Sequence, residues 1–287
     1  MSGKHIRNLL LFLVAAISGI LLQGSRQVKS QGYLSPETVI ADKEGRFVYT
    51  ALREAGRMVV VDAGNRQPAW EIVVPAELTG LVLSPEEDKL YISGRAGNGK
   101  LFTVDLEKKK IAGEISAGHS PVNPVISPDG KFLYIPDQFG NRILVVDLTK
   151  RKVSKMIPVA REPVVAALTH DGKKLFIAHF LPDGPSDSSY VASSVSVINT
   201  SDQKVSRKIR LPNGSTGIHG MALSPDGKTL YITHVLGRFS LPTTQLERGW
   251  MNTNAFTLIN TTTDEVINTV LLDDVDLGAA NPWGAAV

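Results

Sequence analysis

The chain has 287 residues, 43% of them hydrophobic, which is enough for one large core. It contains no cysteine, which excludes a disulfide framework, a thiolate metal site and a C-x-x-C-H haem attachment within the chain. The formal charge of +3 arises at the N-terminus, because residues 1–30 hold Lys4, Arg7, Arg26 and Lys29 but no acid. Residues 31–287 contain the other 27 of the 31 basic residues and all 28 acidic ones, so the charge gives no indication of nucleic-acid binding.

The N-terminus has the pattern of an export signal. A basic start with Lys4, His5 and Arg7 precedes an apolar run from Leu9 to Leu22. That run is about 14 residues long, which suits a signal peptide and is short for a spanning helix of about 20 residues. Residues 1–30 are therefore predicted to be a signal peptide, cleaved after Gly24 or Ser30, with an uncleaved anchor as the alternative. Either places the body, residues 31–287, in the periplasm, at the cell surface or in the medium.

A repeat begins directly after this segment. Equivalent positions in its five copies are 42, 43, 42 and 55 residues apart. The repeated segments are Val39–Ala51, Leu81–Ser93, Pro124–Pro136, Ala166–Ala178 and Met221–Thr233. A period of 40-odd residues is typical of the blades of a β-propeller.

Each repeat contains the signals for four antiparallel strands. An apolar strand leads into a turn such as Ser-Pro-Asp-Gly, and an alternating strand such as "LYIT" follows, as a tight hairpin requires. A third strand, such as "RILVVD", ends at an Asp or Asn that suits a turn, and a fourth, such as "VSKMIPV", closes the unit. The pattern predicts an all-β protein of four-stranded blades with no competing helical periodicity.

These motifs resemble the YVTN-type β-propeller repeat family. The similarity rests on "LYIS", "LYIP", "LFIA" and "LYIT" after the turns and on the "VVD" and "VIN" strands, and it covers nearly all of residues 33–287. It implies the fold but not an activity. Extracytoplasmic propellers with an "LERGW"-like motif in a late insert are often followed by a cytochrome c or di-haem peroxidase-like domain. The resemblance therefore implies haem in a further C-terminal domain and no cofactor in this chain.

The last residues continue the repeat. "AANPWGAAV", Ala279 to Val287, matches the start of another first strand when it is aligned on "GIHGMAL". We therefore expect five blades and the first strand of a sixth, as a fragment of a ring of about seven blades.

Function is expected where the loops lead into the first strands and leave the second strands, because these loops surround the channel of a propeller. Two long insertions leave second strands there, at residues 180–193 and 235–253. A hairpin register that pairs Ala222 with Leu230 places His219 opposite Thr233, beside His234. The histidines expected on this face are His119, His179, His219 and His234.

Two kinds of site are open for these residues. His179, His219 and His234 could bind a transition metal or face a haem, or the histidines could replace the Asn of the repeat and cap strand ends. The late insert adds residue types that are common in binding hot spots, and Trp283 leads into the next blade. These binding-face candidates are Arg238, Glu247, Arg248, Trp250 and Trp283. Asp183, Ser186 and Asp187 could offer oxygen ligands to calcium, but the regular spacing of a calcium loop is missing.

Two functions follow from these observations. The first is an exported binding or scaffold module for a partner protein or an appended electron-transfer domain. The second is a metal- or haem-associated propeller enzyme, lactonase-like or an oxidoreductase, that uses the three-histidine face. The sequence lacks the G-x-S-x-G, H-E-x-x-H and phosphate-loop motifs, so no catalytic residue is assigned and the chain is expected to be non-enzymatic.

Overall fold

Five antiparallel sheets of four strands each form the blades of a β-propeller in the computed structural model, which describes residues 33–238, 252–273 and 281–287. The predicted fold class is thereby confirmed. The predicted signal peptide lies outside the described residues. Within the described ranges, no helix is long and apolar enough to cross a membrane.

Every blade is a meander in which strands that follow each other in the chain are neighbours in the sheet. Blade 1 contains β1 (Pro36–Ala41), β2 (Phe47–Leu52), β3 (Arg57–Asp62) and β4 (Gln67–Val73). Blade 2 contains β5 (Glu77–Leu83), β6 (Lys89–Ala96), β7 (Asn98–Asp105) and β8 (Lys110–Ser116). Blade 3 contains β9 (Val125–Ile126), β10 (Phe132–Asp137), β11 (Arg142–Asp147) and β12 (Lys152–Pro158). Blade 4 contains β13 (Pro163–Leu168), β14 (Lys174–His179), β15 (Ser194–Asn199) and β16 (Lys204–Arg210). Blade 5 contains β17 (Ser215–Leu223), β18 (Thr229–Gly237), β19 (Asn252–Asn260) and β20 (Glu265–Leu271).

The Ser-Pro-Asp-Gly turns fix the first hairpin of a blade through the same bonds each time. In blade 5 the Ser224 hydroxyl donates to Asp226 at 2.6 Å and accepts the Thr229 backbone N–H at 2.9 Å. Gly227 has a φ of +70°, a conformation that glycine adopts without the strain of a side chain. Blade 3 repeats the hydroxyl–Asp bond at 2.6 Å, which explains why this turn recurs in the sequence.

The hydrophobic core is divided into clusters that lie between consecutive blades. One cluster joins blades 4 and 5, where Phe176 of β14 packs with Ile232 of β18, both fully buried. Equivalent clusters join blades 1 and 2, blades 2 and 3, and blades 3 and 4. Each blade is therefore stabilised by its neighbours rather than by a core of its own.

The register of the first hairpin of blade 5, formed by β17 and β18, differs from the prediction by one residue. Leu230 pairs with Leu223 rather than Ala222, because the Ser224 N–H bonds the Thr229 carbonyl and closes a longer turn. Further along, Thr233 pairs with Gly220, and residues 217–219 stand opposite His234 alone. The predicted placement of His219 opposite Thr233 is therefore wrong.

Candidate functional site

A β-bulge near the start of the first strands turns one residue toward the central channel. In blade 1, Pro36 pairs with Leu52 and Thr38 with Ala51, so Glu37 is left without a partner in the ladder. Blades 2 and 4 have the same bulge, and blade 5 has a larger one. Bulges of this kind re-aim side chains and are frequent beside functional sites. The residues at this repeat position, called the first-strand ring here, are Glu37, Thr79, Val122, Val164, His219 and Trp283.

A second set of side chains comes from the repeat position directly after the one that His179 occupies. Phe180 stands there in blade 4, where the chain leaves β14 for its long loop. The residues at this position, the second-strand ring, are Arg53, Arg95, Gln138, Phe180 and Val235. Since both positions recur in every blade, the propeller brings side chains that are far apart in sequence to one end of the channel.

The two rings meet around a cavity of about 420 Å³, called the mouth cavity from here on. Its lining includes nine ring residues, together with Phe139 of the one-turn 3-10 helix Gln138–Gly140 and Gly284. Its size falls within the roughly 300–1,000 Å³ of small-ligand pockets. Of the binding-face candidates from the sequence, His219 and Trp283 line this cavity.

One side of the mouth cavity is charged. Arg53 contacts Glu37 at 3.4 Å and Glu77 at 4.0 Å, so its charge is balanced by two carboxylates. Arg95 instead donates from Nη2 to the Gln138 amide oxygen at 3.0 Å and lies 5.5 Å from the Phe139 ring centroid. Burial, followed by repulsion from Arg53, lowers the pKa of Arg95.

The opposite side is aromatic. The rings of His219 and Trp283 are stacked with centroids 3.9 Å apart and planes at 17°, and Phe180 lies 5.0 Å from His219. Burial lowers the pKa of His219, so its ring is neutral at pH 7 and stacks without a charge. Trp283 is 59% exposed and presents a broad apolar surface.

His179 and His234 point into the protein rather than into the mouth cavity. His179 is 1% exposed, and its Nε2 lies 2.8 Å from the Ser196 hydroxyl of β15. His234 is fully buried, and its Nε2 lies 2.7 Å from the Thr257 hydroxyl of β19. Burial lowers the pKa of both, that of His179 to about 4, so both are neutral at pH 7. The prediction that the two occupy equivalent positions in adjacent blades agrees with their matching hydroxyl partners.

The same repeat position in blade 3 holds Asp137. Its fully buried carboxylate accepts the backbone N–H groups of His119 and Ser120 at 3.0 and 2.7 Å and the Arg142 Nε at 2.8 Å. In three consecutive blades this position thus carries a buried polar side chain that hydrogen-bonds a neighbouring segment or strand. Such bonds satisfy polar groups inside the blade.

The proposed metal set of His179, His219 and His234 is not assembled. His179 and His234 use Nε2 in hydroxyl contacts between β-strands, whereas His219 stacks on Trp283 in the mouth cavity. Across the described ranges no group of three His, Asp or Glu side chains could hold a metal ion. The buried rings do not fit the role of haem or metal ligands, because that role needs a ring nitrogen directed at the ion.

The remaining candidates are dispersed. His119 is exposed, its Nδ1 lies 2.6 Å from the Ser120 hydroxyl, and its ring meets Phe139 edge-on at 6.5 Å. Arg238 is exposed just after β18. Glu247, Arg248 and Trp250 lie outside the described residues.

The Asp-rich loop after β14 does not gather oxygen ligands. Asp183 forms an ion pair with Lys208 of β16, which occupies the carboxylate proposed for calcium. Asp187 and Ser186 are exposed in the same loop and make no bond to Asp183. The loop is instead held to the start of blade 5, where the Tyr190 hydroxyl donates to the Leu211 carbonyl at 2.6 Å.

Residue type alone does not identify several of the residues that line the mouth cavity. Arg53, Arg95 and Glu37 belong to ordinary strand ends and look like solvent-exposed charges in the sequence. The signal that could have found them is position. They fall in the same columns of the aligned repeat as Phe180 and His219, and those columns face the channel.

Blades of four meandering strands around a lined channel mouth define a β-propeller. Comparison with solved structures agrees: the chain superposes on hydrazine synthase of Kuenenia stuttgartiensis with a TM-score of 0.80 and 24% sequence identity. The match covers 91% of this chain and 72% of that one. At this identity the likeness supports the fold alone.

A curated protein matches part of the chain. Antigen Lp49 of Leptospira interrogans (serogroup Icterohaemorrhagiae, serovar copenhageni, strain Fiocruz L1-130) is 30% identical over 107 residues, which is 35% of this chain and 23% of that protein. The chain thus matches less than a quarter of the length of that relative. No family model matches, so the likeness to the YVTN repeat remains a resemblance.

Proposed function

We propose that the chain is a binding module that holds a group of its partner in the mouth cavity. The observation that carries this proposal is the convergence of both rings on one cavity of about 420 Å³ with a charged side and an aromatic side. Convergent polar groups in a largely apolar concavity are the usual property of a binding site. A catalytic role has less support, because His219 stacks on Trp283 and Glu37 pairs with Arg53 instead of forming an acid–base pair.

The partner proposed is a separate protein or an electron-transfer domain of the cytochrome c type that follows this chain. The support is the resemblance of the repeat and its late insert to extracytoplasmic propellers that carry such domains. An exported location is part of the same proposal and rests on the basic and apolar pattern of residues 1–30. In this arrangement haem belongs to the partner, and the propeller supplies the docking face.

Filling the mouth cavity tests the proposal. Val164 lines it, so Val164→Trp should occupy space that the partner needs. Val205 lies on the outer strand β16 of the same blade and is 41% exposed, so Val205→Trp is a matched control. Tagged full-length protein and both variants would be purified from the source cells after cross-linking, and bound molecules would be identified by mass spectrometry.

The proposal predicts a specific companion on the unchanged protein and on Val205→Trp that is at least tenfold depleted on Val164→Trp. Equal recovery on all three proteins would contradict it, provided that both variants unfold at the same denaturant concentration as the unchanged protein.

A further inference from the structure

Building on the proposed function, we propose that the mouth cavity recognises a carboxylate attached to a planar apolar group. The carboxylate binds Arg95, and the planar group stacks against the aromatic side. This goes beyond the general binding role because it specifies the chemistry of the occupant.

Arg95 lacks the carboxylate partners that Arg53 has. Arg53 has two carboxylates within 4.0 Å, whereas no carboxylate of the described residues lies within that distance of Arg95. The Arg95 Nε is buried without a hydrogen-bond partner, and Nη2 donates to Gln138. Half-buried guanidinium groups are normally paired, since an unpaired charge loses hydration without compensation. The mouth cavity therefore offers one guanidinium that no carboxylate of the described residues contacts, and a bound anion can pair with it.

The Arg95 guanidinium is held in one orientation. Phe139 and Gln138, from the same 3-10 helix, hold the guanidinium by a ring contact at 5.5 Å and a hydrogen bond at 3.0 Å. A fixed guanidinium presents its remaining N–H groups as a planar fork, and this fork matches the two oxygens of a carboxylate. A singly charged acid also suits one unpaired guanidinium better than a phosphate dianion does, because Glu37 lines the same cavity and would repel the second negative charge.

An aromatic surface forms the opposite side of the cavity. The stacked pair of His219 and Trp283 with the tilted Phe180 forms an apolar surface that a flat group can cover. Aromatic rings pair best in offset or edge-on arrangements, and the more exposed Trp283 face is open for this. This surface and Arg95 line the same cavity, so one ligand can contact both.

The test uses matched probes on the full-length protein. Isothermal titration calorimetry would compare 2-naphthoate with 2-naphthamide, which has the same ring without the charge, and with acetate, which lacks the ring. A charge-assisted hydrogen bond predicts that naphthoate binds about tenfold or more tightly than naphthamide. Acetate should bind more weakly than naphthoate.

Arg95→Gln should remove the preference for naphthoate over naphthamide. Arg207→Gln is the control, since Arg207 is an exposed arginine of β16 that bonds the Thr263 carbonyl. It should leave the preference unchanged. Phenyl phosphate, as a further probe, should bind less tightly than naphthoate, and tighter binding would overturn the assignment to a carboxylate.

Two sources of the carboxylate are separated by a peptide arm. An acetylated Trp-Glu amide and its Trp-Gln counterpart present the same chemistry as a partner protein would. If the Trp-Glu peptide binds more tightly than naphthoate, the acid belongs to a protein side chain; the reverse order assigns it to a free small molecule. In either order the carboxylate preference requires that the Trp-Glu peptide binds more tightly than its Trp-Gln counterpart, and equal binding of the two peptides would overturn it.

The outcomes distinguish this inference from the proposed function. Equal binding of naphthoate and naphthamide, or no naphthoate binding up to its solubility limit, overturns the carboxylate inference. If Val164→Trp still abolishes partner recovery, the binding module stands. Charge-dependent binding that survives Val164→Trp would place the acid outside the mouth cavity and overturn the inference as well.

Discussion

A shift of one residue decides whether a side chain serves the interior or the mouth cavity. Asp137, His179 and His234 occupy a buried position, and each hydrogen-bonds a polar group of a neighbouring strand or segment. The next residue along the chain points to the channel, as Gln138 and Phe180 do. Asp137 and His179 are the last residues of their strands, so the division falls where the chain leaves the sheet.

The buried histidines predict a loss of stability in mild acid. Burial keeps His179 neutral and lowers its pKa from 6.5 to about 4, whereas the unfolded chain takes up a proton near pH 6.5. The free energy of unfolding is therefore highest above pH 6.5, where His179 is neutral in both states. It falls by roughly 3 kcal/mol as the pH is lowered from 6.5 to 4, because only the unfolded chain binds the proton there. Urea unfolding at a series of pH values would measure this slope.

His179→Gln should flatten the slope between pH 6.5 and 4, although it lowers stability at pH 7. His170→Gln, which changes an exposed histidine of a turn, is the matched control variant and is measured in parallel. A slope that is unaltered in the His179 variant would show that this residue is not buried in its neutral form.

Asp137 should be far more important for stability than a turn aspartate. Asp137→Ala leaves two backbone N–H groups and the Arg142 guanidinium without their acceptor, which predicts a loss of about 3 kcal/mol. Asp129→Ala removes a bond to Ser127 in an exposed turn and should cost about 1 kcal/mol or less. Denaturant unfolding of both variants checks the ranking, and equal losses would contradict it.

At the scale of elements, the first strand of one blade passes closely over the first strand of its neighbour. A Cβ at Gly80 would lie 2.5 Å from the Asn123 backbone nitrogen, and one at Gly220 would lie 2.7 Å from the Gly284 carbonyl carbon. The segment around Gly284 thus crosses blade 5 as blade 3 crosses blade 2. This agrees with the alignment of the last residues on a first strand.

Gly220→Ala should therefore destabilise the protein by roughly 1–3 kcal/mol, because backbone atoms rather than a flexible side chain must move. Gly284→Ala is the control, since a Cβ there meets nothing within 4 Å. The urea midpoints of the two variants give the comparison. Similar midpoints would mean that the crossing has room for a side chain.

The elements could be predicted well from sequence, but the way the side chains meet could not. The regular repeat and its Asp-Gly turns indicate four-stranded blades, and the described residues form five of them. Apolar alternation does not encode the length of a turn, so the predicted pairing of β17 with β18 differs by one residue from the observed one. It does not encode the bulge either, which leaves residues 217–219 opposite His234. Residue type alone singles out His179 and His234, which are buried. Arg95 and Glu37 line the mouth cavity, and only their columns in the aligned repeat identify them as cavity residues.

At the scale of the whole molecule, the hydrophobic clusters that stabilise the fold lie between blades, whereas the unpaired guanidinium of Arg95 and the exposed ring of Trp283 lie in the mouth cavity. Scaffold and site therefore use different columns of the same repeat. This separation lets the channel-facing residues differ between blades, charged in blades 1 and 2 and aromatic in blades 4 and 5, while the strands stay alike. A propeller built in this way can change its ligand without changing its fold.

A crystal structure of the full-length protein soaked with 2-naphthoate tests the central claim most directly. The account predicts the probe in the mouth cavity, with its carboxylate within hydrogen-bond distance of the Arg95 guanidinium and its ring against Trp283. Probe bound at another surface while the mouth cavity holds only solvent would contradict the account.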